Sequence, residues 1–148
     1  MHDISQKNNH LKLENQLCFP LYAAAKEVVR QYRPILSNIG LTYTQYIVMM
    51  VLWQEQQINI KMLGEKVYLD SGTLTPLLKK MEQQMLLTRK RSSDDERQVI
   101  VSVTAKGEAL KQEALRIPEQ IQGFIDLDPG EMKTLYILLY KVLGGLKE

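Results

Sequence analysis

Apolar residues recur every three or four positions between residues 17 and 39. This spacing is typical of a helix with one apolar face. Pro20 lies close to the start of the segment, where proline is tolerated because first-turn N–H groups have no intrahelical partner. Asn38-Ile39-Gly40 indicates the helix exit. The residues that set the period are Leu17, Leu21, Ala24, Ala25, Val28, Val29 and Tyr32.

Three shorter helices are predicted next, each with a capping residue at its start. Thr42-Tyr43-Thr44-Gln45 fits a capping box, and the second helix runs from there to about residue 54. Asn59 caps a third helix over residues 60–67, and Asp70 or Ser71 caps a fourth that ends near residue 84. The side chains expected to face the core are Ile60, Leu63 and Val67 in the third helix and Leu74, Leu77, Leu78 and Met81 in the fourth.

The pattern changes after Met85. Residues 87–90 are short and extended, and residues 98–104 alternate valine with other side chains, which is the period of a strand. The polar segment 91–97 between them indicates a hairpin tip. Helical spacing returns over residues 104–117, and a last helix begins at Asp128-Pro129-Gly130-Glu131 and carries apolar residues as far as Leu146.

The predicted fold class is mainly α with a small β-hairpin wing. A tight helix pair followed by a charged hairpin is the winged helix-turn-helix arrangement. The chain has 148 residues, is 45% hydrophobic and shows no internal repeat, so one domain is expected over residues 1–148. Residues 1–10 are predicted to be a flexible leader, and residues 42–104 to be the DNA-binding part.

The net charge of +2 does not by itself suggest nucleic acid, but its distribution does. Five basic residues lie between residues 79 and 91 against one acid, Glu82. The single cysteine favours a reducing compartment, and no segment is apolar enough to be a secretory signal or to span a bilayer, so a cytoplasmic location is expected. His2 and His10 lie in the polar leader; no metal site or cofactor is predicted.

The fourth helix carries candidate DNA-binding side chains away from its apolar stripe. Short hydroxyls allow close approach to phosphates or base edges, Thr75 or Pro76 can meet a thymine methyl, and the lysines neutralise the DNA backbone. The alternative is an ordinary capped amphipathic helix with a solvated face. The candidates are Ser71, Thr73, Thr75, Pro76, Lys79 and Lys80.

The hairpin adds four further candidates, Arg89, Arg91, Asp95 and Arg97. A narrow minor groove attracts an inserted arginine whose side chain is held outward. Asp95 is predicted to be the orienting partner of Arg97. The alternative is a surface ion-pair cluster.

The wing and the fourth helix together resemble the MarR superfamily of bacterial transcription regulators. Asp95-Glu96-Arg97, the strand that follows and Gly107 are similar to the MarR wing pattern, and residues 68–82 resemble the recognition helix of its peroxide-sensing OhrR/MgrA/SarZ branch. The resemblance covers roughly residues 11–148. It implies a symmetric homodimer, held by helices in 11–40 and 105–148, that reads a pseudo-palindromic double-stranded DNA operator. Met85 stands where the family often has glycine, at a cost of about 1 kcal/mol if its backbone is left-handed.

The segment around Cys18 resembles the sensor segment of OhrR. A thiolate near a helix N-terminus is stabilised by the dipole and free N–H groups. The resemblance implies that organic hydroperoxide oxidises Cys18 to a sulfenic acid, which forms a mixed disulfide with a low-molecular-weight thiol or is overoxidised. It also implies that Tyr32 and Tyr43 of the opposite subunit hydrogen-bond the cysteine, with Tyr22 a further neighbour, and that oxidation releases the repressor from DNA.

Two alternatives remain open. A MarR-type regulator can be released by a small aromatic ligand bound between its dimerisation and DNA-binding parts, with Cys18 a buried structural residue. A one-cysteine thiol peroxidase belongs to another class and is disfavoured, because peroxidase turnover needs an anion-stabilising pocket. The nearest arginines in sequence, Arg30 and Arg33, are not adjacent to Cys18. The chain is therefore expected not to be an enzyme.

Overall fold

The computed structural model describes residues 8–146. A 3-10 turn at Leu13–Asn15 precedes the first long helix. The elements are then α1 (Cys18–Ser37), α2 (Tyr43–Glu55), β1 (Gln57–Asn59), α3 (Ile60–Val67), α4 (Ser71–Gln83), β2 (Leu87–Arg91), β3 (Val99–Val103), α5 (Ala105–Ala114), α6 (Ile117–Gln120) and α7 (Pro129–Gly145). This mainly helical architecture with a small antiparallel sheet confirms the predicted fold class.

The sheet has three strands in the order β1-β3-β2, where the sequence predicted only the two-stranded hairpin. Ile58 of β1 and Arg89 of β2 lie opposite Val101 of β3, on its two sides. Strand β1 was missed because three residues with a single apolar side chain show no measurable alternation. It anchors the hairpin to the loop between α2 and α3.

Helix α2 forms the centre of the core. Val48, Met49 and Leu52 are completely buried, and α3, α4 and the sheet pack around them. Leu63, Leu74, Leu78 and Met81 are buried as predicted, but Ile60, Val67 and Leu77 are only partly buried at the edge of this cluster. The helix-turn-helix and the wing therefore share one core, which fixes their relative orientation.

Local capping sets most helix starts, as the sequence predicted. Thr42 and Gln45 form a reciprocal capping box at α2, and Asp128 forms another with Glu131 at α7. Asn59 accepts from the backbone N–H of Lys61. Each side-chain cap pairs a helical N–H that would otherwise have no partner, which is worth about 1 kcal/mol.

One predicted segment differs in detail and another is confirmed. The helical stretch over residues 104–117 is divided, because α5 ends at Ala114 and α6 begins at Ile117 with Pro118 in its first turn. Met85 is left-handed at φ 60°, which confirms the helix exit expected there. Methionine tolerates this conformation at the cost of a side-chain clash that glycine avoids.

The leader is described only in part. The prediction for residues 1–7 lies outside the described residues. Asn8 and Asn9 accept backbone hydrogen bonds from Leu11 and Lys12, and the Asn15 side chain donates to the carbonyl of Asn9 at 2.7 Å. Over the described part of the chain, no helix has the length and apolar character needed to cross a bilayer.

Candidate nucleic-acid interface and redox site

The turn between α3 and α4 is tight. A Cβ at Gly64 would lie 2.9 Å from the carbonyl oxygen of Leu69, so only glycine lets the turn fold back this closely onto α3. Tyr68 ends α3 in the left-handed conformation, at φ 55°. Asp70 then caps α4 by accepting from the N–H of Thr73 at 2.8 Å. These contacts fix the direction in which α4 leaves the turn.

Helix α4 buries Leu74, Leu78 and Met81 and leaves its opposite face open. The six predicted DNA-binding residues on this helix are all exposed. Pro76 lies inside the helix and removes one backbone hydrogen bond on that open face. The exposed face is therefore small, hydroxyl-rich and basic at its C-terminal end, as expected of a helix that enters the major groove. Its members are Ser71, Thr73, Thr75, Pro76, Lys79 and Lys80.

Arg89 is held by Glu82. The Arg89 guanidinium contacts Oε2 of Glu82 at 2.9 and 3.0 Å, and the Arg89 backbone N–H donates to Oε1 at 3.1 Å. These hydrogen bonds, the backbone one first, lower the pKa of the Glu82 carboxyl below its ordinary value. The pair fastens β2 to α4, so the structure gives Arg89 a role in orienting the wing in addition to the DNA contact predicted for it.

The hairpin tip is organised by Asp95. Its Oδ1 accepts from the backbone N–H of Arg97 at 3.0 Å, so Asp95 shapes the turn beneath Arg97, where the sequence suggested a partner for the guanidinium. Arg91 donates to the carbonyl of Glu96 at 2.7 Å and closes the base of the tip. Arg97 is exposed at the outer end of the wing. This position leaves the side chain free to enter a DNA groove.

Cys18 is the first residue of α1, and its side chain is exposed. Tyr22 lies one turn further on the same face and is 63% exposed. Tyr32 lies fourteen positions along α1, which at 1.5 Å per residue is about 21 Å away. Cys18 therefore cannot touch Tyr32 of its own subunit while α1 is intact.

Tyr32 and Tyr43 form a cluster with a third ring, Tyr46, which sequence reasoning did not single out. The ring centroid of Tyr32 lies 4.9 Å from that of Tyr43 and 6.1 Å from that of Tyr46. Burial raises the pKa of all three phenols, and for Tyr32 and Tyr46 neighbouring tyrosines add to the shift. The hydroxyls therefore stay protonated and able to donate at neutral pH. The spacing of Tyr46 from Tyr43, three positions along α2, was the available signal.

The two end regions of the chain expose large apolar surfaces. No residue of α7 is buried, although most of this helix is apolar. On α1, Phe19 and Leu21 are each 41% exposed, and Leu17 before it is 84% exposed. Large apolar side chains exposed along a helix in this number are typical of a protein–protein contact. Within residues 8–146, no cluster of three His, Cys, Asp or Glu residues could hold a metal ion.

Comparison with known proteins gives one consistent answer. Residues 30–114 match the family of the transcriptional regulators SarA and Rot. The chain is 47% identical over 145 residues to the organic hydroperoxide resistance transcriptional regulator of Bacillus subtilis, covering 98% of this chain and 99% of that one. It is 43% identical over 128 residues to the regulator SarZ of Staphylococcus saprophyticus, covering 86% of each. The solved structure of reduced AbfR bound to DNA matches with a TM-score of 0.78 and 31% identity, over 95% of this chain and 99% of that one.

The fold, the open face of α4 and these relatives define a winged-helix DNA-binding regulator. The chain belongs to the SarA/Rot family of MarR-type transcriptional regulators. This family is not an enzymatic class, which confirms the prediction that the chain is not an enzyme. Its regulators are dimers, and the apolar surfaces of α1 and α7 are available for such a contact.

Proposed function

We propose that this protein is a dimeric repressor that senses organic hydroperoxide through Cys18 and releases its operator when that cysteine is oxidised. The observation that carries the proposal is the thiol at the first residue of α1, which is exposed in the single chain and lies about 21 Å along the helix from Tyr32 of its own subunit. A buried structural cysteine would not be accessible to an oxidant. The name of the Bacillus subtilis relative supports the same chemistry. A cytoplasmic location follows from binding chromosomal DNA.

In the reduced state, α4 of each subunit lies in the major groove and the wing reaches the adjacent minor groove. Ser71, Thr73, Thr75 and Pro76 approach base edges and phosphates, and Lys79 and Lys80 neutralise the backbone. Arg91 and Asp95 hold the tip so that Arg97 points outward, and Arg89 joins the hairpin to α4. Because the dimer has twofold symmetry, the operator is a pseudo-palindrome.

The sensing step begins with attack of the Cys18 thiolate on one peroxide oxygen. The O–O bond breaks, the leaving alkoxide takes a proton to become an alcohol, and the sulfur becomes a sulfenic acid. The cysteine loses two electrons and the peroxide gains them. A small thiol then condenses with the sulfenic acid, which gives a mixed disulfide and water, or a second peroxide overoxidises the sulfur. With one cysteine per chain, the alternative to an outside thiol is Cys18 of the partner subunit, and we assign the step to the outside thiol.

In this proposal, the tyrosine cluster of one subunit responds to the oxidation state of the Cys18 sulfur of the other. We place Cys18 of one subunit against Tyr32 and Tyr43 of the other, with Tyr22 of its own helix nearby. Protonated phenols donate hydrogen bonds to a thiolate and favour its charged form. An oxygen or a bulky thiol on the sulfur changes both the length and the acceptor of these bonds. The cluster then moves, and the DNA-binding parts move with it.

The test compares DNA binding by wild type and Cys18→Ser before and after cumene hydroperoxide. The DNA is the region upstream of the protein's own gene, and binding is followed by fluorescence anisotropy. We expect both reduced proteins to bind, and only the wild type to be released. If Cys18→Ser is released as readily as the wild type, Cys18 is not the sensor.

A second candidate is release by a small aromatic ligand. An open cleft of about 410 Å³ lies between the loop after α1, the end of α4 and α5, with Ile39, Gln84 and Leu110 in its wall. This volume suits a small molecule, and the cleft adjoins both the dimerisation and the DNA-binding parts. Such a regulator would lose DNA on adding an aromatic acid such as salicylate, equally in the wild type and in Cys18→Ser.

A further inference from the structure

Gln45 is a polar side chain in the middle of an apolar core. Among the described residues it is the one buried side chain that is polar, at 2% exposed. A buried amide needs hydrogen bonds on both its oxygen and its nitrogen, because each group left unpaired costs about 1–3 kcal/mol. The two partners of this amide come from different elements of the fold.

The oxygen of the Gln45 amide belongs to the start of α2. Oε1 accepts from the backbone N–H of Thr42 at 3.0 Å and completes the capping box. The nitrogen crosses to another helix, where Nε2 donates to Oε1 of Gln84 at 3.2 Å. Gln84 is the C-cap of α4, 39 positions further along the chain. One buried side chain therefore joins the first turn of α2 to the last turn of the recognition helix.

The end of α4 is also held from the opposite side. Nζ of Lys106 donates to the carbonyl of Gln84 at 3.0 Å. Thr104, the N-cap of α5, donates to the carbonyl of Met85 at 2.6 Å. The C-terminal end of α4 is therefore joined to α5 as well as to the first turn of α2.

The first turn of α2 also carries the tyrosine cluster. Tyr43 lies two residues before Gln45 and Tyr46 directly follows it. The rings of both tyrosines pack against Tyr32 of α1. A displacement of Tyr43 moves the backbone of the preceding residue, Thr42, whose N–H donates to the Gln45 side chain. Besides the apolar packing of α2 on α4, the hydrogen-bonded side chain of Gln45 therefore links the turn that carries the cluster to the end of α4.

We propose that Gln45 is a positioning residue that transmits movement of the tyrosine cluster to the recognition helix through its hydrogen bond to Gln84. The proposal rests on the redox function above and adds the element that couples the two sites. Gln45 touches neither the reacting sulfur nor DNA. What Gln45 changes is the coupling between the two sites, measured as the factor by which oxidation of Cys18 lowers the affinity for the operator.

The experiment breaks the bond at Gln84, which leaves the capping box of α2 intact. Gln84→Met removes the acceptor with little change of volume, and Gln84→Glu keeps an acceptor oxygen. Operator Kd is measured for reduced and for peroxide-treated protein, and the rate of Cys18 oxidation is followed by thiol labelling. We expect Gln84→Met to bind DNA when reduced and to oxidise at the wild-type rate. Its ratio of oxidised to reduced Kd should fall by about fivefold or more, while Gln84→Glu keeps the wild-type ratio.

Gln83→Met is the matched control, because Gln83 is an exposed glutamine at the same helix end. An unchanged ratio in Gln84→Met, with the wild type released normally, overturns the proposal and leaves the redox function standing. If the wild type itself keeps its DNA after Cys18 is oxidised, the redox function fails and the coupling fails with it. Gln84→Ala, which admits water beside Gln45, is measured in parallel. Loss of reduced-state binding in Gln84→Met and Gln84→Ala alike, with Gln84→Glu normal, would show that the bond only supports the fold.

Discussion

Single residues set the close contacts on which the winged-helix unit depends. A Cβ at Gly107 would overlap the carbonyl oxygen of Leu86 and press on Met49, so this glycine in the wing pattern is explained by lack of space. Its own carbonyl accepts from Nε1 of Trp53 at 2.8 Å. The contact holds α5 against α2 just beyond the wing, and this fixes the orientation of the hairpin relative to the core.

Arg97 is the residue whose loss should affect DNA recognition most selectively. It is exposed at the wing tip, and Asp95 binds its backbone, so truncation leaves the turn intact. We predict that Arg97→Ala weakens operator binding by about tenfold or more, because a groove-inserted arginine is worth about 1–3 kcal/mol. Anisotropy titrations measure the affinity, and sedimentation velocity checks that the dimer is unchanged. Arg116→Ala, an exposed arginine outside the hairpin, is the control; equal Kd values for the two variants would contradict the assignment of the wing.

At the scale of elements, local patterns predicted local structure well. The caps at Thr42, Asn59, Asp70 and Asp128 each depend on partners within three residues. The sequence identified three of them, and for the fourth helix, where it left Asp70 and Ser71 open, the structure selects Asp70. Strand β1 was not identified, because its pairing with β3 depends on residues more than forty positions away.

The contacts that join elements were equally hidden from local patterns. Glu82 appeared in the sequence as a lone acid in a basic patch, whereas the fold makes it the partner of Arg89. The contact from Gln45 to Gln84 and the tyrosine cluster likewise arise only when distant segments pack together.

The Glu82–Arg89 pair should give stability a specific pH dependence. The folded state favours the ionised carboxylate, so the pKa of Glu82 lies below its ordinary value of 4.5. The contribution of the pair is therefore present above about pH 4.5 and is lost as the pH falls through the lowered pKa. We predict that wild type exceeds Glu82→Gln in free energy of unfolding at pH 7, by less than about 1 kcal/mol because the pair is partly exposed. Urea denaturation at pH 7 and below pH 4 measures the gap, and a gap that widens in acid would refute this reading.

At the scale of the whole molecule, the chain is incomplete without a second copy. The core under α2 is well packed, but α7 has no buried residue and the start of α1 exposes apolar side chains. The composition of these helices is readable from the sequence, but their partner is not, because apolar periodicity is the same for a helix that faces its own core and one that faces another subunit. The same geometry places Cys18 far from Tyr32 of its own subunit, so the proposed sensing contact needs the dimer as well.

Acidic substitutions on the apolar face of α7 should dissociate the dimer. Leu135 and Leu138 lie three positions apart on one face and are 39% and 51% exposed in the single chain. We predict that Leu135→Glu/Leu138→Glu is largely monomeric at micromolar concentration and loses operator binding. Sedimentation equilibrium measures the association, with Lys133→Glu as a control on the same helix. A dimer as tight as the wild type would exclude this face of α7 from the interface.

The central claim is that the state of Cys18 determines whether the dimer holds DNA. The direct measurement titrates operator-bound wild type with cumene hydroperoxide in the presence of a small thiol. Intact-mass spectrometry gives the fraction of Cys18 oxidised, and anisotropy gives the fraction of DNA released in the same samples. The account predicts that release rises in step with modification of Cys18. DNA that stays bound while Cys18 is fully modified would contradict it.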